Sequence, residues 1–197
     1  PIAFGYLKAE KPELINFTVR VHEQEQTFYF PLSEKPKFIS FDVGNNYLKT
    51  VRLEYPLAEL KAQLEFDPDP ISRIHATEAL VRKGGLEVVR ALSKALRDEP
   101  FWGVRVEVAK QLGKIRLDQV FDGLATGLED EDPRVRRAVV EALTQIKKRK
   151  SYKLLKSLVK NGDASYYVEA SAVSGIGDIA AINANSDEKP TEEKAIK

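Results

Sequence analysis

The chain has 197 residues, 43% hydrophobic, 31% charged and 9% aromatic, enough for a sizeable core and too apolar for wholesale disorder. No apolar run approaches the roughly 20 residues of a membrane-spanning helix. Thirty-one basic against 30 acidic residues leave a net charge of +1, which removes any global electrostatic case for nucleic acid but allows local patches. The absence of cysteine excludes disulfides, thiolate metal sites and cysteine nucleophiles.

The chain opens at Pro1 and contains no methionine, a pattern expected of a piece of a longer polypeptide or a processed product. Its first residues carry no basic and apolar export-signal pattern. Together with the lack of cysteine, this makes the cytoplasm the expected compartment.

The first third reads as strands. Ile15, Phe17, Val19 and Val21 alternate with polar residues, the period of two that sends one face to a core. A polar tip, His22–Gln26, then separates them from Phe28, Phe30 and Leu32, predicting a hairpin. Lys37–Val43 predicts a third strand. Gly44-Asn45-Asn46 predicts a turn with positive φ, and Val51, Leu53 and Tyr55 a fourth strand ending at Pro56. The expected unit is a small antiparallel β-sandwich module over 1–56.

At Leu57 the apolar spacing changes to three and four, and a helix, an acidic loop and a second helix recur about every 30 residues. The second helices align at Leu80, Leu112, Leu143 and Val173, spaced 32, 31 and 30 apart. Asp67-Pro-Asp-Pro70, Asp98-Glu-Pro100, Asp130-Glu-Asp-Pro133 and Asn161-Gly-Asp163 precede them, combining capping aspartates with first-turn prolines. A helix pair with one apolar stripe cannot bury it alone, so this period predicts pairs stacked side by side. The pattern from Asp132 to Leu143 resembles HEAT repeats. That resemblance implies a ladder in which Arg73, Arg105 and Arg136 pair with aspartates of adjacent loops, ending where Tyr166 replaces the arginine.

The fold expected is therefore α+β and multidomain: the sheet module over 1–56, an α-solenoid of about four HEAT-like helix pairs over 57–182, and a disordered polar tail over 183–197, where no aromatic residue occurs and apolar content is too low to offset chain entropy.

Sites of chemistry are scarce. His22-Glu23-Gln24-Glu25-Gln26 has glutamine where the zinc-peptidase pattern His-Glu-x-x-His needs its second histidine, and it falls in a turn rather than a helix. His75, the other histidine, falls where the third unit has Ala138. Ser174-Gly175-Ile176-Gly177 reads as a helix ending on glycine, and no nucleotide-binding glycine pattern occurs. No catalytic, cofactor-binding or metal-ligating residue is expected. Two surface features remain. Seven cations fall among the fourteen residues of Lys147–Lys160, a candidate for phosphates or an acidic partner, or a solvated face. Phe101-Trp102-Gly103 offers aromatics that either staple a helix pair or anchor a partner.

The stretch Phe41–Val51, followed by Gln63–Asp69 and Arg73–Leu80, also resembles the C-terminal part of aminopeptidase N-type zinc metallopeptidases, in the branch shared with the aminopeptidase-like subunit of the general transcription factor TFIID. That resemblance implies a non-catalytic region whose helices enclose a peptide or bind a protein, with zinc and the catalytic residues in an upstream part of a parent metallopeptidase. The alternatives are a free-standing HEAT scaffold for a protein partner and, less favoured, a nucleic-acid contact module through Lys147–Lys160. A protein or peptide is the expected partner. Nucleic acid is disfavoured and a membrane is not expected.

Overall fold

The computed structural model describes residues 1–8 and 11–187. Three antiparallel strands, β1 Ile2–Lys8, β2 Lys11–Phe17 and β3 Phe38–Phe41, form a sheet in the order β2-β1-β3. Ile2, Phe4 and Tyr6 of β1 share one face. They lie opposite Phe17 and Ile15 of β2 and Phe41 and Ile39 of β3. Phe4 meets the Phe17 ring edge-on at 5.7 Å and the Phe30 ring at 5.0 Å. The other face carries Ala3, Gly5, Phe38 and Ser40, all but Gly5 at most 1% exposed. A side chain at Gly5 would run into the Phe38 ring, so the small residue is what lets that ring lie flat on the strand.

The fold class is the expected one and β3 falls within the predicted Lys37–Val43 strand, but the other strands differ. β1 was not foreseen, β2 shares only Ile15–Phe17 with the predicted first strand, and the predicted hairpin of 15–21 with 28–32 does not form. Residues 18–37 are irregular, with Val19, Phe30 and Leu32 laid over the sheet. Val51, Leu53 and Tyr55 face the helical core as an extended segment without ladder partners. Alternation reports that one face is buried and is silent on whether backbone groups pair. Pro12 is tolerated because β2 is an edge strand. The turn prediction holds: Gly44 and Asn45 have φ of 86° and 48°.

Four helix pairs follow. They are α1 Leu57–Phe66 with α2 Pro70–Lys83, α3 Leu86–Asp98 with α4 Trp102–Lys114, α5 Gln119–Thr126 with α6 Pro133–Ile146, and α7 Arg149–Asn161 with α8 Tyr166–Asp187. α2, α4, α6 and α8 stack on one another as one layer, and α1, α3 and α5 stand beside them. One core runs through the stack from Leu53 and Leu60 to Ala172 and Ile179. Asp69 and Asp132 cap α2 and α6 through the Ile71 and Arg134 amides, each at 2.9 Å, with Pro70 and Pro133 next in sequence. Pro100 does not open α4, which starts at Trp102 after an uncapped Phe101. α8 passes through Gly175 and Gly177 without ending and continues to Asp187, into the segment expected as tail. The rest of that segment, 188–197, lies outside the described residues.

The last unit also has a different register. Leu80, Leu112 and Leu143 are fully buried, whereas Val173 is 56% exposed. Aligning the loop acids Asp67, Glu99, Asp130 and Asp163 puts Ile176, not Val173, level with the three leucines and gives spacings of 32, 31 and 33. Ile176 packs against the core.

Candidate functional site

Each loop between paired helices is built around one acid. Asp67, Glu99, Asp130 and Asp163 accept a hydrogen bond from the amide two residues ahead, at 2.9, 3.0, 2.9 and 2.7 Å. Six residues after three of these acids stands an arginine whose Nη1 donates to the acid's own carbonyl oxygen: Arg73 to Asp67, Arg105 to Glu99 and Arg136 to Asp130. The remaining nitrogens of each arginine reach the acid of the next unit through two bonds, Arg73 to Glu99, Arg105 to Asp130 and Arg136 to Asp163. The guanidinium of Arg136 holds the Asp163 carboxyl below the usual carboxylate range. The family resemblance anticipated such a ladder. Its acid-to-arginine spacing of six was the missed signal that would have set the register of the last unit, where Glu169 takes the arginine position and accepts from the Asp163 amide at 2.8 Å.

The two ends of the ladder differ. At the N-terminal end Asp67 has no preceding arginine. It is 2% exposed and burial pushes its carboxyl up, countered by the Asp69 amide, the Ser40 hydroxyl and the Gln63 amide. The sheet fills the place of a preceding unit. Gln63 Nε2 donates to the Ile39 carbonyl at 3.0 Å, the Ser40 and Ser72 hydroxyls lie 2.9 Å apart, and the Gly44 amide donates to Asp69 at 3.2 Å. The loop supplying Gly44 is held by Asp42, which accepts from Tyr47 N and, at 2.5 Å, from Lys49. At the other end no described residue covers the outer face of α8, where Tyr166 and Tyr167 are 77% and 68% exposed.

The sequence candidates separate accordingly. His22 lies at an exposed bend and its amide bonds the Gln26 side chain. His75 is half-buried on α2. Among the described residues no group of three or more His, Cys, Asp or Glu converges as a metal site would require. Ser174 sits exposed in the middle of α8. Trp102 is a staple between units: the Arg134 guanidinium lies 3.4 Å over its ring, and Asp132 holds that arginine in place. In Lys147–Lys160, Lys148 pairs with Asp118 and Lys150 approaches the Phe121 ring. Arg149, Lys153, Lys156 and Lys160 fall on one face of α7, a line about 16 Å long at 1.5 Å per residue. With Lys147 they are exposed and have no anionic partner among the described residues.

The comparisons with known proteins fit this geometry. The family described as HEAT repeats matches residues 57–126 and 89–177. The chain belongs to that family. No curated protein matches. Among solved structures, human deoxyhypusine hydroxylase in complex with glycerol is similar at a TM-score of 0.57 and 26% identity, over 65% of this chain and 44% of that one. The complex of CpcE and CpcF of phycocyanin lyase from Nostoc sp. PCC7120 is similar at 0.52 and 24%, over 71% and 59%. The chain thus spans about half the length of the solved structures it matches.

These matches overturn the resemblance to an aminopeptidase N-type metallopeptidase or its TFIID relative, and with it the expected parent enzyme. The HEAT repeats have neighbours in the hydroxylase and the lyase subunits instead. The motif that suggested it, Phe41–Val51, has a local structural role, in which Asp42, Asn46 and Lys49 shape the loop that seats the sheet on α2. Among the described residues no helix is long and apolar enough to cross a membrane.

Proposed function

We propose that the chain is a HEAT-repeat scaffold that holds a protein partner, with the sheet over 1–56 serving as a cap for the stack over 57–182. The observation that carries this reading is the division of labour among its polar groups. The buried arginines and acids are committed to joining one unit to the next, while exposed aromatic side chains are left at the open end, where Tyr166 and Tyr167 lie 6.1 Å apart. Tyrosine pairs of this kind are typical anchors of protein interfaces. A photo-crosslinker placed at Tyr167 in the full chain, used in an extract of the source cells, should give one saturable protein adduct that excess unlabelled chain competes away. Adducts that competition leaves unchanged would refute the scaffold reading.

A second reading is favoured by one observation, the unpaired cations of α7. A nucleic-acid backbone laid along Arg149, Lys153, Lys156 and Lys160 would displace counterions, so log K should fall with log salt by about 0.7 for each phosphate of a single strand. Lys153→Glu with Lys156→Glu should abolish that binding. A flat salt response, or affinity kept by the double variant, would remove this reading and leave the first intact.

A further inference from the structure

The open face of α8 can be read position by position against the faces that the stack covers. Ten residues after the loop acid come Thr77, Ala109, Val140 and Val173. The first three are fully buried and the fourth is exposed. Fourteen residues after it come Val81, Gly113, Thr144 and Gly177. A side chain at Gly113 would begin 2.9 Å from Ala142 Cβ of the next unit, and one at Gly175 would collide with the Thr144 hydroxyl of the unit before. The rule is that position fourteen of one unit meets position twelve of the next, a pairing of close backbones. Gly177 is the same position in the last unit, and no heavy atom of the described residues lies within 4 Å of where its side chain would start.

We propose that the exposed face of α8 is a stacking face that receives the inner helix of one further helix pair, supplied by a partner protein. This rests on the scaffold reading and names where and what it holds. Tyr166, Tyr167, Ala170, Val173, Ser174 and Gly177 make up the face, all exposed and none of them charged, in a chain that is 31% charged. The incoming helix runs parallel to α8, as α8 does to α6, and places Gly, Ala or Ser opposite Gly177. The ladder sets its charge. Where Arg73, Arg105 and Arg136 each meet an acid, this unit presents Glu169, whose Oε1 is taken by the Asp163 amide, so the partner loop brings Lys or Arg. A second copy cannot supply the helix pair head to tail. Its own position twelve in the first unit, Ala79, is already buried, at 1% exposed.

The test uses the full chain carrying, after Lys197 and a flexible Gly-Ser linker, a copy of its own 117–147 segment with Asp130→Lys in the copy. This probe offers Ala142 to Gly177 and a lysine to Glu169. Hydrogen exchange should show the α8 amides between 166 and 177 slowed at least tenfold relative to the parent chain. Val173→Asp, at a position exposed enough to leave the fold intact, should return them to the parent rate. Unslowed exchange, or slowing that survives Val173→Asp, overturns the proposal. So does a parent chain that sediments as a dimer with these amides already protected, which would assign the face to a second copy. Docking of the copy together with a failed crosslink at Tyr167 would sink the scaffold reading alone.

Discussion

Arg105 grips Asp130 with Nε at 2.8 Å and Nη2 at 3.0 Å, and both side chains are less than a tenth exposed. Because the pair is buried and two-pronged, its loss differs in kind from the loss of a surface ion pair, which is worth at most about 1 kcal/mol.

Arg105→Met should therefore cost about 3 kcal/mol, chiefly by stranding Asp130 without its cation. Asp130→Asn keeps an acceptor for the Asp132 amide, so the double variant should be more stable than Arg105→Met alone. Urea midpoints of the four proteins in this cycle measure the coupling. Additive effects would show that the rung contributes nothing of its own.

Asp67 inverts the usual acid dependence. Its folded pKa is raised, so the fold disfavours its ionised form. The resulting destabilisation is complete above the raised value, fades as pH falls through it and is gone below the unfolded value, about 3.9. Asp67→Asn should raise the melting temperature at pH 7, with an advantage that shrinks by pH 4. A variant less stable than the parent at pH 7 would contradict this.

Asp42 has the opposite sign. Its hydrogen bond with Lys49 brings its carboxyl down to about 2, so the anchoring it gives the 42–49 loop is present above the unfolded value and lost as pH falls toward 2. Asn tolerates the left-handed backbone at this position, where φ is 53°. Asp42→Asn should thus keep the turn but remove the acid transition, read from the Tyr47 amide resonance between pH 5 and 2.

Two glycines should respond in opposite directions. Gly5→Val drives two methyl groups into the Phe38 ring and should cost about 1–3 kcal/mol, as overpacking does. Gly177→Ala meets open space and should gain about 0.5–1 kcal/mol from helix propensity. Thermal melts of both variants decide it.

The helices were legible because an apolar stripe at three and four, with Asp-x-Pro or a related start, is a local code that stacking reinforces. Leu80, Leu112 and Leu143 announced themselves in this way. The sheet was less so, since β1 is interrupted by Gly5, and Pro12 argues against a strand until its edge position is known. The open face of α8 was hidden by a register three residues off. Val173 was aligned by its hydrophobicity, whereas the loop acid six residues before each ladder position is what geometry keeps constant along the stack. Glu169 is at the arginine place although its charge is reversed.

The sheet seals one end of the stack, and among the described residues nothing seals the other. In a linear array each unit is held only by its neighbours, so melting has a preferred starting point. Among the described residues α8 is gripped by the stack from one side, whereas α4 and α6 are gripped from two. Fraying should therefore advance toward the N-terminus as a zipper opens from its free end, with the capped unit the last to let go.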